Sequence, residues 1–322
     1  MMTTGHLRRK KMLTYVLLII GFVLLIKGAD YFVEGSSNIA RLLRIPSVII
    51  GLTVVAFGTS MPEASVSITA AIEAQNELAL SNVIGSNIFN LLVVVGICAA
   101  IKPMGITPSV LKREFPFSIV ITAVLLLLSL DHEVGQIDGW ILLAFFVLFL
   151  VFTVKSALKS RNEIQADSTD GIKQLSPLLS GICIIGGLAA IVIGGDLVVN
   201  SAVSIAESFG LSQTLIGLTI VALGTSLPEL VTSIVASRKG ENDIALGNVV
   251  GSNIFNILLV LGASSALHPV AVNLFSIYDI MILIVASIAV FIFALQSKIL
   301  NRMEGWIMLL GYAAFMGFII LR

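Results

Sequence analysis

GLTVVAFGTSMPE (51–63) is answered 166 residues later by GLTIVALGTSLPE (217–229). NVIGSNIFNLLVVVG (82–96) is answered at the same distance by NVVGSNIFNILLVLG (248–262), with no gap between the two matches. From Gly51 to Pro103, 29 of 53 positions are identical to Gly217–Pro269. The same shift pairs Asp30 with Asp196 and Gly139-Trp140 with Gly305-Trp306, so one unit runs over about 21–156 and again over 187–322. A fixed offset of this kind marks a chain built twice from one plan. The identity is concentrated in polar positions, where a duplication kept only for packing would retain apolar ones.

Composition says where such a chain lives. Of 322 residues 57% are hydrophobic and 12% charged, against roughly 25% charged in soluble domains. Nineteen Lys and Arg balance nineteen Asp and Glu, and mean hydropathy is +1.05. A soluble enzyme, a nucleic-acid-binding protein and a disordered scaffold are excluded, since each needs charge that is missing here. A bilayer core takes roughly 20 apolar helical residues. Cut at charge and proline clusters, the apolar runs predict spans at 12–40, 46–72, 78–101, 113–130, 138–158, 177–207, 212–237, 244–267, 276–296 and 303–321. The expectation is an all-α polytopic membrane protein. It divides into a first five-helix repeat (12–158), a hydrophilic linker (159–176) and a second repeat (177–322). Five is odd, so the second copy must enter the membrane from the opposite face. Ten transmembrane helices as two inverted five-helix repeats follow, a signature of secondary transporters whose substrates bind near mid-membrane.

Lys and Arg placement gives the orientation. Thirteen basic residues, from Arg41 to Arg302, lie in or beside connections 1–2, 3–4, 5–6, 7–8 and 9–10, against five on the other side. The linker is then cytoplasmic and both termini lie outside. RRKK (8–11) counts the other way. Either the later loops outvote it or the native chain begins at Met12. The two cysteines, Cys98 and Cys183, lie in apolar stretches and read as small core residues.

Inside the spans the polar residues recur in pairs. Thr59, Ser60, Pro62 and Glu63 lie deep in span two, and Thr225, Ser226, Pro228 and Glu229 repeat them in span seven. A carboxylate at that depth costs several kcal/mol unless it meets a cation, a partner or water. No basic residue with a matching repeat partner lies within the spans. Each proline removes a backbone donor and clashes with the carbonyl four residues earlier, at Gly58 and Gly224, so carbonyls near Ala56–Gly58 and Ala222–Gly224 become available as ligands. Asn82, Ser86 and Asn90, spaced i, i+4, i+8, form one polar stripe, and Asn248, Ser252 and Asn256 repeat it. For Asn82, Asn87 and their mates, interhelical hydrogen bonding stands equally open. The sum is an all-oxygen cage without Cys or His, suited to hard cations and unsuited to zinc, copper or iron. Two carboxylates neutralise one divalent ion or several monovalent ones. An empty cage leaves buried charge uncompensated, which favours obligate exchange over leakage.

These residues resemble the calcium/cation antiporter superfamily, specifically the prokaryotic sodium/calcium exchangers, through both copies of G-T-S-x-P-E and G-S-N-I-F-N. The resemblance implies ion ligands at Glu63, Glu229, Thr59, Thr225, Ser60, Ser226, Ser86, Ser252, Asn90 and Asn256, with backbone carbonyls from Ala56 and Ala222. It implies that spans one and six form a long gating pair. It implies Ca2+ and Na+ as transported ions and the cell membrane as location, with no cofactor, no nucleic acid and no obligate protein partner. Several relatives, including potassium-dependent exchangers, carry an aspartate where this chain has Asn256. Proton-coupled members carry an additional acidic residue in the motifs that here end in Asn90 and Asn256. Both departures weigh against the alternatives, H+- or K+-coupled exchange of Ca2+ or another divalent cation. A channel is not expected to carry an inverted repeat. An intramembrane hydrolase needs a nucleophile–base set, and His6, His132 and His268 lie at loops or the terminus. Asp30 and Asp196 read as helix-end carboxylates, with Lys27 in reach of Asp30 one turn away. Asp138 and Glu304, each before Gly-Trp, read as interfacial anchors.

Overall fold

The computed structural model describes residues 4–73, 76–163, 175–209 and 222–321. Most of the linker (164–174) and the start of the seventh expected span (212–221) lie outside the described residues.

The first helix, α1 (Thr4–Leu43), begins before the expected limit at 12, because Lys and Arg are good helix formers and the helix outlasts its apolar run. It stops where Arg44 turns left-handed (φ 56°) ahead of Ile45-Pro46; a residue before proline avoids the helical region. Then come α2 (Ser47–Thr59), α3 (Met61–Ile72) and α4 (Leu78–Ile101). The first half ends with α5 (Phe115–Leu128) and α6 (Gln136–Glu163). The second half opens on α7 (Pro177–Ser208), whose first turn is capped by Ser176 Oγ accepting from Leu179 N–H at 3.2 Å. It continues with α8 (Ala222–Gly224), α9 (Leu227–Arg238), α10 (Asn242–Leu267), α11 (Leu274–Ser297) and α12 (Arg302–Leu321).

Among the described residues seven helices are long and apolar enough to cross a membrane, and the bent pair α2–α3 makes an eighth if taken as one span. Burial separates two of them. The most apolar windows of α4 and α10 are 78% and 94% buried, whereas those of α1, α6, α7, α11 and α12 are 22–33% buried. The two helices that carry G-S-N-I-F-N are therefore the centre of the molecule, and the others present apolar side chains outward, as a bilayer requires. Trp140 and Trp306 are among these outward residues.

Packing runs across the repeat. α12 lies on α4 and α6 lies on α10, so each copy's last helix covers the other copy's centre. Gly139 and Gly305 make that possible. A Cβ on Gly139 would sit 2.7 Å from Gly262 O, and one on Gly305 2.6 Å from Gly96 O. α1 and α7 lie along each other by a seam of the same kind. A Cβ on Gly28 would sit 2.8 Å from Gly187 O, and one on Gly21 2.9 Å from Gly194 O. Small residues at seven-residue spacing let the two backbones touch over several turns.

The helix-only expectation needs one correction. Four two-residue strands tie the loops across the repeat: β1 (Met104–Gly105) pairs antiparallel with β4 (Ile299–Leu300), and β2 (Glu133–Val134) with β3 (Val270–Ala271). Loop backbone at a membrane boundary still has to satisfy its N–H and C=O groups, and a partner loop does this without a periodic signal in the sequence.

Candidate functional site

Pro62 and Pro228 organise the site. Each stands in the first turn of the helix it opens, where a missing N–H is tolerated. The residue before each turn leaves the helical region in the same way, Ser60 at φ −83°, ψ 5° and Ser226 at φ −90°, ψ 5°. On the first side α2 and α3 meet at a bend of 49°. Glu63 and Glu229 fall in the first turns of α3 and α9, at the positive end of each helix. Both are fully buried.

Each carboxylate is held by one serine of its own half and one of the other. Glu63 Oε1 accepts from Ser86 Oγ at 3.2 Å and from Ser226 Oγ at 3.0 Å. Glu229 Oε1 accepts from Ser252 Oγ at 3.4 Å and from Ser60 Oγ at 3.2 Å. Ser226 Oγ and Ser86 Oγ are themselves 2.9 Å apart. The second oxygen of each carboxylate, Glu63 Oε2 and Glu229 Oε2, is buried without a hydrogen-bond partner among the described residues. None of the ion pairs among the described residues involves either group.

The asparagines are arranged to the same end. Asn256 Nδ2 donates to Ser86 Oγ (3.2 Å) and Asn87 Oδ1 (3.0 Å), and Asn90 Nδ2 donates to Asn253 Oδ1 (3.3 Å). With their amide donors engaged, Asn90 Oδ1 and Asn256 Oδ1 remain as buried acceptors with no partner among the described residues. Four buried oxygens, two from carboxylates and two from amides, are thus left unsatisfied by the described residues. Such groups are rare in folded chains and call for an explanation. A cation supplies one. A turn of π-helix begins at Asn90 and another at Asn256, and a third (Gly51–Val55) ends just before Ala56. Wide turns of this type cluster at functional positions because they re-aim side chains and carbonyls.

Other expected ligands sit differently. Thr59 Oγ1 donates to Asn248 Oδ1 at 2.9 Å and lies 3.5 Å from Ser252 Oγ, whereas its counterpart Thr225 Oγ1 makes no matching bond among the described residues. The Ala56 carbonyl already accepts Ser60 N–H at 3.0 Å, with Thr59 Oγ1 a second, longer contact at 3.4 Å. Ala222 opens the short helix α8. Asn82, on the polar stripe but outside the ligand set, donates to Ser67 Oγ (2.9 Å) and Glu63 O (3.3 Å). Asn248 does the same to Ser233 Oγ (3.0 Å) and Glu229 O (3.4 Å). These asparagines hold the start of each carboxylate helix.

Sequence reasoning left Asn87 and Asn253 between interhelical contact and ligand. They clamp α4 to α10: Asn87 Nδ2 donates to Asn253 O at 3.1 Å and Asn253 Nδ2 to Asn87 O at 3.2 Å. Their place in both copies of G-S-N-I-F-N was the available signal; the reciprocity was not. One expected pair is overturned. Asp30 binds Lys239, not Lys27, with Nζ 2.7 Å from Oδ1 and a further bond of 2.8 Å to the Asp30 carbonyl. The helix path brings the α9–α10 corner against α1, where a charge two hundred residues away outcompetes one a turn away. Asp138 and Glu304 cap the starts of their own helices, accepting from Gly135 N–H (2.9 Å) and Asn301 N–H (2.7 Å). Cys98 and Cys183 are free, the first buried and the second half-buried.

Among the described residues no three His, Cys, Asp or Glu side chains gather. Two buried carboxylates with neutral oxygens around them, at the centre of a helical membrane protein, have the donor chemistry that suits a hard cation. The family described as sodium/calcium exchanger protein matches residues 13–155 and again 179–321, and the two matches are offset by 179 − 13 = 166 residues. The chain belongs to this family, which is one of transporters. It is 40% identical over 308 residues to CaxA of Alkalimonas amylolytica, covering 93% of this chain and 96% of that one. It is 33% identical over 340 residues to the sodium/calcium exchanger MaX1 of Methanosarcina acetivorans, covering 94% and 97%. Its fold matches the sodium-calcium exchanger NCX_Mj soaked with 2.5 mM Na+ and 10 mM Sr2+ at a TM-score of 0.84, with 30% identity, 95% of this chain and 99% of that chain covered.

Proposed function

We propose that this chain is an antiporter exchanging Ca2+ for Na+ by alternating access to one mid-membrane cage. In this reading the chain forms ten transmembrane helices as two inverted five-helix halves, 12–158 and 177–322. The linker 159–176 is cytoplasmic and both termini are outside. Thr59, Ser60, Glu63, Ser86 and Asn90, their counterparts Thr225, Ser226, Glu229, Ser252 and Asn256, and the carbonyls of Ala56 and Ala222 carry the ions. The observation that supports it most is the set of four buried, unpartnered oxygens, Glu63 Oε2, Glu229 Oε2, Asn90 Oδ1 and Asn256 Oδ1. Burying two carboxylates without a cation costs several kcal/mol each, so the cage favours being filled before it moves. Ca2+ balances both charges at once, and Na+ ions of nearly the same size balance them one by one. The NCX_Mj relative has been studied with Na+, Ca2+ and Sr2+ soaks, which fits the same cargo. The asparagine clamp keeps α4 and α10 crossed while the glycine seam lets α1 and α7 move against them as a unit.

The test is radiolabelled Ca2+ uptake into proteoliposomes loaded with Na+, K+ or choline, with and without a proton gradient. Uptake driven by internal Na+ alone is expected. Uptake that ignores Na+ and follows the proton gradient or internal K+ replaces Na+ as the coupling ion.

A further inference from the structure

Residues 113–117 and α6 line a lateral groove of about 480 Å3, whose Phe149 also packs on Phe255, next to Asn256. Arg113, Lys155 and Lys159 line one end. Phe117, Phe149 and Phe152 line the other, with Phe117 and Phe149 stacked at 5.6 Å and 8°. From Phe149 to Lys159 the helix rises about 15 Å, the depth of roughly half a bilayer core. The groove is thus charged at one end and aromatic one leaflet deeper, the polarity of a phospholipid.

Two further observations point to an occupant. Arg113 Nη1 is braced on Ser156 Oγ at 2.8 Å, which positions the guanidinium. Glu114 lines the groove with them, 8% exposed, its Oε2 buried and without a partner among the described residues and its Oε1 4.0 Å from Arg113 Nε. The positive-inside bias accounts for basic residues on this side, but not for a buried acceptor among them. The repeat supplies an internal control. The 166-residue shift carries Phe149 and Phe152 to Phe315 and Phe318, but Arg113, Glu114 and Lys155 to Asp279, Ile280 and Leu321. Two of the three phenylalanines recur in the other half, Phe117 being answered by Leu283, whereas none of Arg113, Glu114 and Lys155 is answered by a residue of like charge, so these charges are not a requirement of packing.

We propose that this groove binds one phosphatidylglycerol molecule. Its phosphate meets Arg113, Lys155 and Lys159, a headgroup hydroxyl donates to Glu114 Oε2, and an acyl chain lies along the phenylalanines. Three cations and one carboxylate leave a net charge that selects an anionic lipid, and the buried acceptor selects a headgroup that can donate. Basic pockets between transmembrane helices are established anion sites for lipid headgroups.

The purified full chain, delipidated and offered equimolar mixtures, is to be examined by native mass spectrometry. Phosphatidylglycerol is expected to be retained one per chain, at least tenfold over phosphatidylcholine and phosphatidylethanolamine and about threefold over phosphatidic acid. The triple substitution Arg113→Gln, Lys155→Gln, Lys159→Gln should erase the anionic preference. Glu114→Met should erase only the preference over phosphatidic acid. Equal retention of phosphatidylcholine or phosphatidylethanolamine by the unaltered chain, or an undiminished preference in the triple variant, overturns the proposal. As a test on the unaltered protein, a photoactivatable phosphatidylglycerol should crosslink to peptides holding 113–117 and 149–159; crosslinks confined to other helices overturn it equally.

Discussion

Lys239 and Glu73 occupy the same place in the two copies of the repeat, as do Asp30 and Asp196. At one rim Lys239 Nζ bridges Asp30 Oδ1 (2.7 Å) and Glu34 Oε2 (3.8 Å), while Arg41 Nη2 binds Glu241 Oε1 at 2.9 Å and Ser37 joins them. At the other rim the shift of 166 turns Lys239 into Glu73 and Arg41 into Glu207, so carboxylates stand where cations did and cannot bridge to Asp196. The centre behaves in the opposite way. Glu63 with Ser86 and Ser226 is matched bond for bond by Glu229 with Ser252 and Ser60. α1 packs on α9 along the bridged rim, and at the centre the two serine contacts to each carboxylate are shared evenly. An even site serves cations arriving from either face. Uneven rims make the two closures differ in free energy, although bridges with side chains 31% and 40% exposed contribute only about 1 kcal/mol or less each.

The largest expected effect strikes the symmetric part. Glu63→Gln and Glu229→Gln should each lower Na+-driven Ca2+ uptake by more than a hundredfold while the protein still elutes as a folded species from size exclusion. A variant that kept its activity would break the equivalence of the two halves at the cage. Next comes the seam between α1 and α7, where the pair Gly28–Gly187 maps onto Gly194–Gly21. Gly28→Leu and Gly194→Leu should destabilise by similar amounts, about 1–3 kcal/mol from overpacking, read as matched falls in melting temperature; unequal falls show that the seam is not symmetric in energy. Asn87→Ala and Asn253→Ala each remove a buried amide and strand a carbonyl and an amide of the other helix, for about 1–3 kcal/mol, again expected to be equal in the same assay. The smallest effect lies at the rim. Lys239→Glu makes the first rim like the second, and a shift of about 1 kcal/mol corresponds to roughly fivefold. In a background lacking Cys98 and Cys183, a cysteine at Ser37 should be labelled about fivefold faster by an impermeant thiol reagent. Unchanged labelling means that the bridges do not bias closure.

Much of this was legible in the residues because it is local. Pro62 and Pro228 announce breaks four residues after glycine, and the bend at Ser60 follows from proline's missing donor whatever packs around it. Glu63 and Glu229 announce a site because no nearby cation explains a carboxylate inside an apolar run. Strands β1 to β4 were not legible, since two residues carry no period. Nor was the lipid-facing groove at Arg113, whose charges also fit a plain topology signal. Asp30 was misassigned to Lys27 because a sequence displays neighbours one turn apart and hides those brought in by helix crossing.

By itself the sequence determined that there are two copies of one membrane unit, where each breaks, and which oxygens lie inside. These follow from periodicity, proline stereochemistry and the cost of charge in hydrocarbon, all of which act within a few residues. Only the tertiary structure decided that Ser226 serves Glu63 and Ser60 serves Glu229, that Asn87 and Asn253 clamp each other, and that Lys239 reaches Asp30. Those partners are set by how α1, α4, α7 and α10 cross, and a crossing is an agreement between surfaces that no single stretch of chain contains.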